Sequence, residues 1–265
     1  MNKKWKSFLI ENLFNFDALK PKENLHLSFW QEKRLNREIL NHLLDLAEDI
    51  VNSMEIEAEI KDITLTGSLA SYNWHDLSDI DLHIIFDFDQ IDENRSLVKR
   101  MLDQSRINWN KTHDIRIENH EVELYFQDIN EPHEALGVYS LLTGAWLREP
   151  SLINIDLDLR NTEKKAAALQ GSIDHIYDLF SEGDHKAAYE YASKIKKKIS
   201  KMRQSGLKGD GVYSIENLAF KMLRNSGDLE KLSSLKIHAY DKMMSLDLSE
   251  SKLENRLWNK LIKKG

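Results

Sequence analysis

The sequence predicts an α+β domain followed by an all-α helical bundle. In the first half, short segments with alternating apolar and polar residues stand between longer segments with apolar residues at helical spacing. From Thr162 onward every apolar pattern is helical, and all three prolines lie within residues 1–150. The order helix, strand, strand, helix, hairpin and then only helices is typical of this fold class.

The first half is expected to alternate between helices and strands. Helices are predicted over 32–53 and, approximately, 93–109. The predicted strands, in chain order, are 61–68, 79–88 and the two halves of 115–126, which turn at Glu118-Asn119. Residues 137–150 form either a further hairpin that turns at Thr143-Gly144 or a helix, and the hairpin is preferred.

Capping residues divide the second half into about five predicted helices. The candidate N-caps are Asp184, Ser214, Asp228 and Ser249. The candidate C-cap glycines are Gly183, Gly206 and Gly227.

Charge is distributed unevenly along the chain. Residues 1–150 hold 16 basic and 28 acidic residues, a net charge of -12, whereas residues 151–265 hold 21 and 16, a net charge of +5. We therefore predict two domains, 1–150 and 151–265. The acidic half suggests cation binding, and the mildly basic half suggests an anionic partner, although +5 is far from the charge of a typical nucleic-acid-binding domain.

Composition excludes several classes of protein. The chain has no cysteine, which excludes disulfides, thiolate metal sites and a cysteine nucleophile, and which favours a reducing cytoplasm. It has no unbroken apolar run long enough to span a bilayer, so no membrane partner is expected. Its N-terminal 16 residues are interrupted by polar residues and do not resemble a signal peptide.

The second predicted strand carries two carboxylates on one face. Side chains alternate along a strand, so Asp79, Asp81 and His83 share a face while the apolar residues between them share the other. Residues two apart on one strand face lie about 7 Å from each other. Like charges held that close favour protonation or a bound cation.

The segment TGSLASYNWHDLSDIDLHIIF resembles the signature of the DNA polymerase β-like nucleotidyltransferase superfamily. In that signature a strand ends in Gly-Ser, a helix follows, and the next strand opens with Asp-x-Asp; here Gly67-Ser68 precedes Asp79-Ile80-Asp81 by ten residues. The resemblance covers about residues 35–127. It implies a mixed sheet with flanking helices and a cytoplasmic enzyme that transfers a nucleoside monophosphate from an NTP to a hydroxyl, releasing pyrophosphate.

The resemblance also implies a role for each motif residue. Asp79 and Asp81 would bind Mg²⁺ or Mn²⁺, which prefer hard oxygen ligands, and Gly67 and Ser68 would contact the triphosphate. Two cations about 3.5–4 Å apart stabilise both the attacking and the leaving oxygen in such reactions. The superfamily's third acid lies in a strand of hydrophobic-acid-hydrophobic pattern, which Val122-Glu123-Leu124 fits.

The third acid has two candidates. Glu121 and Glu123 point to the same face, so alternation alone does not separate them. We prefer Glu123 because both of its neighbours are apolar. Many relatives carry Asp at this position, so the longer Glu would have to reach from further back.

Other polar residues near the motif have structural alternatives. His83 either contacts substrate or a carboxylate, or is a structural histidine, and the structural interpretation is preferred. Tyr72, Trp74 and His75 either stack on a base or pack the loop, and packing is preferred.

The acceptor of the transferred nucleotide is not indicated by the sequence and is a nucleic acid, a protein or a small molecule. The alternative to an enzyme is a catalytically inactive nucleotide-binding regulatory or antitoxin-like module. Seven basic residues and no acid lie between Lys194 and Lys208, which predicts a solvated helix face or, as the second interpretation, a contact for a phosphate chain or nucleic-acid acceptor.

Overall fold

The computed structural model describes residues 16–54, 56–133 and 135–245. The chain divides into two compact units, one of Phe16–Asp156 and one whose described part begins at Leu157. This division lies close to the predicted one at residue 150, and the assignment of the units as separate functional domains stays a prediction. Among the described residues, no helix is both long and apolar enough to cross a bilayer.

The predicted α+β fold class is confirmed, with a six-stranded mixed sheet, a two-stranded sheet and six α-helices in the described residues. The strands are β1 Trp30–Gln31, β2 Arg34–Leu35, β3 Ile60–Thr66, β4 Ile80–Phe86, β5 Arg116–Ile117, β6 His120–Asp128, β7 Val138–Ser140 and β8 Ala145–Arg148. The helices are α1 Arg37–Ser53, α2 Arg95–Thr112, α3 Leu159–Ser181, α4 His185–Lys208, α5 Ile215–Asn225 and α6 Asp228–Met244.

The six-stranded sheet has the order β5-β6-β4-β3-β7-β8. β4 and β6 pair in parallel, and the other neighbours pair antiparallel. A parallel pair needs a crossover connection, which α2 provides between β4 and β6. This crossover brings the predicted Asp-x-Asp strand next to the strand that holds both candidate glutamates.

The two faces of the sheet differ in chemistry because the strands alternate. One face carries fully buried apolar residues such as Leu82 and Leu124, which join one hydrophobic core with Leu43 of α1 and Leu102 of α2. Burying each such side chain stabilises the fold by about 2 kcal/mol relative to exposing it. The opposite face of the central strands is left for polar residues.

The predicted helix over 32–53 begins later than expected, at Arg37. Residues 30–35 form the β1-β2 hairpin instead, and its turn residues Glu32 and Lys33 both have positive φ, 49° and 63°. Asn36 then caps α1, since its side chain accepts a 2.9 Å hydrogen bond from the Glu38 amide.

Both predicted hairpins of the first half are confirmed. Glu118 and Asn119 have φ of 50° and 67° between β5 and β6, as a two-residue turn with two left-handed positions requires. Residues 137–150 form the β7-β8 hairpin, with Gly144 at φ 64° in its turn. The helical alternative for that segment is wrong.

The second unit contains four helices within residues 157–245, and several predicted caps are confirmed. The side chains of Asp184 and Ser214 cap α4 and α5. Gly183 and Gly227 have positive φ, 87° and 77°, and each follows the C-cap residue of its helix, Glu182 after α3 and Ser226 after α5. Ser249 lies outside the described residues.

Two cap predictions in the second unit are wrong. Gly206 lies inside α4, where a Cβ would approach within 2.4 Å of Ser214 Oγ, so this glycine allows close packing of α4 against the start of α5. Asp228 is the first residue of α6 rather than its N-cap, because left-handed Gly227 already occupies the cap position.

Candidate functional site

Three polar residues form a row across the centre of the six-stranded sheet. Asp81 of β4 pairs with Thr66 of β3 on one side and with Glu123 of β6 on the other. Residues paired across adjacent strands lie on the same face, with the strands about 4.8 Å apart. The structure therefore places Asp81 and Glu123 side by side on the face opposite the apolar core.

Asp79 lies immediately before β4 rather than within it, because the strand begins at Ile80. The backbone preceding it is held by Ser78, whose carbonyl accepts a 2.6 Å hydrogen bond from His120 Nδ1. The Ser78 hydroxyl in turn accepts a hydrogen bond from the His75 amide. Asp79 itself is partly buried, and these hydrogen bonds hold the loop residue that precedes it.

Gly67 lies directly against the Asp81 carboxylate. It has φ +74°, and a Cβ at this position would lie 1.7 Å from Asp81 Oδ2. Both the left-handed backbone and the lack of space require glycine here. The Gly67 turn therefore lies against the carboxylate of Asp81.

Ser68 belongs to a turn over residues 67–70. Its carbonyl accepts hydrogen bonds from both the amide and the hydroxyl of Ser71, at 3.1 and 3.0 Å. Residues 67–79 contain turns and bends and no helix, all within the described chain. In this respect the chain departs from the signature that it resembles.

The two candidate glutamates have different partners. Glu123 Oε2 accepts a 2.6 Å hydrogen bond from the hydroxyl of Tyr125. Glu121 Oε2 lies 3.4 Å from the guanidinium of Arg116, its partner across the β5-β6 hairpin. Glu121 is thus engaged in the hairpin, whereas Glu123 lies level with Asp81.

A second row of residues supports the acidic one. His83 pairs with Thr64 and Tyr125 on the neighbouring strands, and its ring stacks on Tyr125 with centroids 4.9 Å apart. His83 Nδ1 donates a 2.8 Å hydrogen bond to Gln127 Oε1, because the Gln127 amide nitrogen donates to the Glu131 carbonyl. Burial lowers the pKa of His83 to about 4. His83 is therefore neutral at pH 7 and braces Tyr125.

Tyr125 remains protonated beside the two acids. Burial raises its pKa, and the charges of Asp81 and Glu123 raise it further. The guanidinium of Arg106, from α2, lies 4.8 Å from the centre of the Tyr125 ring. The hydroxyl therefore acts as a donor to Glu123.

Sequence reasoning missed Tyr125, Arg106 and Gln127 as parts of this site. The alternation that places Glu121 and Glu123 on one face also places Tyr125 and Gln127 there, so these two were detectable. Arg106 approaches from a helix, and no strand pattern indicates it.

The loop residues Tyr72, Trp74 and His75 take packing roles, as preferred from the sequence. Trp74 Nε1 donates a 2.8 Å hydrogen bond to the Asn24 carbonyl, and the Trp74 ring meets the ring of His26 edge-on. His75 is buried, and its Nδ1 accepts a hydrogen bond from the Leu77 amide.

The three predicted acids suit a divalent cation in the chemistry of their side chains. Asp79, Asp81 and Glu123 offer the hard oxygen donors that Mg²⁺ and Mn²⁺ prefer. In residues 16–54, 56–133 and 135–245, no three acidic or histidine side chains are already grouped to hold a metal ion. One Glu123 oxygen is instead occupied by Tyr125. The three acids have the right type of donor atom, but the described residues do not gather them into a metal site, and the Tyr125 hydroxyl holds one oxygen of Glu123.

The chain matches none of the family models and none of the curated proteins with which it was compared. Its likeness to the nucleotidyltransferase superfamily therefore consists of the short motif and its spacing. Any function assigned to it must be supported by the residues of the row themselves.

Proposed function

We propose that the chain is a metal-dependent nucleotidyltransferase that moves a nucleoside monophosphate from an NTP to an acceptor hydroxyl and releases pyrophosphate. The observation that supports this most is the row of Asp81 and Glu123 on adjacent strands, with Gly67 against the Asp81 carboxylate. Phosphoryl-transfer catalysis consists mainly of positioning and of stabilising charge, and this row supplies oxygen ligands beside a tight glycine turn.

Each residue has a role in this proposal. Asp79, Asp81 and Glu123 would hold Mg²⁺ or Mn²⁺, which supplies positive charge to the triphosphate and lowers the pKa of the attacking hydroxyl. The turn at Gly67-Ser68 would receive the triphosphate, because glycine lets the backbone approach closely. The absence of cysteine agrees with a cytoplasmic enzyme.

In this proposal a carboxylate of the row accepts the proton of the attacking hydroxyl. Glu123 is the candidate acceptor for the proton of the attacking hydroxyl, since a carboxylate within hydrogen-bond reach acts as a general base. The Tyr125 hydroxyl bonds Oε2 of Glu123 and competes there with a cation, and neutral His83 stacks on the Tyr125 ring. Arg106 of α2 lies over the Tyr125 ring, 4.8 Å from its centre, and 3.5 Å from the Asp103 carboxylate.

A second candidate function is a nucleotide-binding module without turnover. One observation favours it: Glu123 is bound by Tyr125, and the described residues hold no grouped set of three metal ligands. Such a module would bind an NTP with a cation at the same turn and would transfer nothing.

The test is incubation of the protein with each α-labelled NTP and Mg²⁺ or Mn²⁺, with and without cell extract. Transfer of label to an acceptor, lost in Asp81→Asn, supports the enzyme and identifies the acceptor class. A rise in melting temperature with NTP and cation but no labelled product supports the binding module. Ligand at a hundredfold excess over its dissociation constant stabilises by about 2.7 kcal/mol, so the absence of any shift contradicts both.

A further inference from the structure

The second unit contains a groove between α3 and α4 that is apolar at its base and basic at its edge. Its volume is about 620 Å³. The base is formed by Ala168, Leu169, Met202 and Ile215, and the edge by Asn161, Lys164, Lys165 and Lys198. Lys165 is ion-paired with Glu216, which leaves Lys164 and Lys198 as the exposed cations of the edge.

The groove continues into a stripe of exposed lysines on one flank of α4. Residues three, four and seven apart share a helix face, so five of the six exposed lysines from Lys194 to Lys208 line up on one side. The stripe consists of Lys194, Lys197, Lys198, Lys201 and Lys208. At 1.5 Å per residue it is about 21 Å long.

Two other basic residues of α4 face neighbouring helices. Lys196 Nζ lies 3.3 Å from Ser233 Oγ of α6, and the Arg203 guanidinium lies 4.2 Å from the centre of the Phe220 ring of α5. These two residues therefore contribute to packing within the unit.

Within the described part of the chain, the charge of the stripe is not balanced by a neighbouring acid. Residues 191–208 contain no acid. Among the residues that the structure describes, none of the five lysines of the stripe lies within 4 Å of a carboxylate oxygen. Crowded like charges repel, and a bound polyanion relieves that repulsion while releasing its counterions.

We propose that the groove and the lysine stripe together bind a single-stranded nucleic acid. The phosphates lie along the stripe, and one nucleobase contacts the apolar residues of the groove, Leu169 and Met202 among them. A free nucleotide is too short to contact lysines about 21 Å apart. A duplex keeps its bases stacked, so it offers no base to an apolar groove. The inference does not depend on nucleotidyl transfer, because binding alone tests it.

The experiment measures binding of a short fluorescein-labelled single-stranded RNA to the full chain by anisotropy, from about 50 to 200 mM salt. The variant is Lys198→Gln with Lys201→Gln, both in the stripe. The matched control is Lys236→Gln with Lys242→Gln, which removes the same charge from α6. Circular dichroism confirms that both variants fold.

We expect the stripe variant to bind the RNA about tenfold more weakly at low salt. The slope of log affinity against log salt concentration should become shallower by about 1.4, because each phosphate contact contributes about 0.7 to that slope for single strands. The control should match the wild type. Equal losses in both variants, or no RNA binding by the wild-type chain, would overturn the proposal.

Two further measurements test whether a nucleobase contacts the apolar residues of the groove. Met202→Ala should weaken RNA binding severalfold without changing the salt slope, because it removes apolar contact and no charge. Inorganic polyphosphate of similar charge should compete poorly against the RNA, and the RNA's own duplex should bind more weakly. Polyphosphate or duplex binding as tight as that of the single strand would overturn the nucleic-acid assignment.

Discussion

The hydroxyl of Tyr125 donates a 2.6 Å hydrogen bond to Oε2 of Glu123, two residues earlier on the same strand face. Glu123 is the residue that pairs with Asp81 across β4 and β6. Anything that binds the Glu123 carboxylate must therefore compete with Tyr125 or be oriented by it. The hydrogen bond links the acidic row to the supporting layer of His83 and Gln127.

Removing this hydroxyl should strengthen cation binding. In Tyr125→Phe, Glu123 is free to turn toward Asp81, and a hydrogen bond to a charged group contributes about 1.5 kcal/mol, so the affinity for Mn²⁺ with NTP should rise about tenfold. Calorimetric titration measures it. Tyr139→Phe is the control, because its hydroxyl bonds the Gly144 carbonyl, away from the row. Unchanged or weaker binding in Tyr125→Phe would show that the tyrosine does not compete for Glu123.

The two glutamates should differ in activity. Glu123→Gln keeps the size of the side chain and removes the charge level with Asp81, so nucleotidyl transfer should fall by orders of magnitude, each 1.36 kcal/mol being tenfold in rate. Glu121→Gln removes only the Arg116 ion pair and should keep most activity. The reverse result in a labelled-NTP assay would move the third acid to Glu121.

The sequence predicted much of the fold because most of its signals are local. The turn at Glu118-Asn119 and the caps Asp184 and Ser214 depend on residues within a few positions. The alternation around Asp81 depends on the strand alone.

The remaining features depend on contacts between residues far apart in the chain. The pairing of Asp81 with Glu123 needs the crossover through α2, and no local pattern specifies its register. Gly206 looked like a cap, but its role is set by Ser214 of the next helix. The hydrogen bond that holds Glu123 depends on rotamers, which strand periodicity does not specify.

Gly67 should not tolerate any side chain. Gly67→Ala combines a left-handed φ with a Cβ placed on the Asp81 carboxylate, so we expect a large fall in melting temperature and loss of NTP binding. Gly144→Ala is the control, with φ +64° but nothing nearer than 3.9 Å to its Cβ. It should cost only the backbone strain, about 1 kcal/mol. Equal effects in thermal unfolding would mean that the contact with Asp81 is unimportant.

Gly206 and Gly171 are a second matched pair, both within helices. Gly206→Ala places a Cβ 2.4 Å from Ser214 Oγ and 2.6 Å from Glu216 Cβ, so it should destabilise the second unit. Gly171→Ala meets nothing within 4 Å and should stabilise α3 by about 0.5–1 kcal/mol through helix propensity. Chemical denaturation measures both. Stabilisation by both substitutions would contradict close packing at Gly206.

His83 should make stability depend on pH in the acid range. Its pKa is about 4 in the folded chain and about 6.5 in an unfolded one, so the unfolded state binds the proton more readily between those values. The resulting stability is complete above pH about 6.5 and is lost as the pH falls toward about 4. For a shift of this size the loss is on the order of 3 kcal/mol.

The measurement is urea unfolding across that pH range for the wild type and for His83→Gln, whose amide can still bond Gln127 but does not titrate. The wild type should lose more stability than the variant as the pH falls, and the two curves should converge or cross near the acid end. His42→Gln, on the exposed face of α1, is the control and should follow the wild type. Parallel curves for the wild type and His83→Gln would mean that His83 accepts a proton as easily in the folded chain as in the unfolded one, and that Tyr125 lacks the neutral support inferred for it.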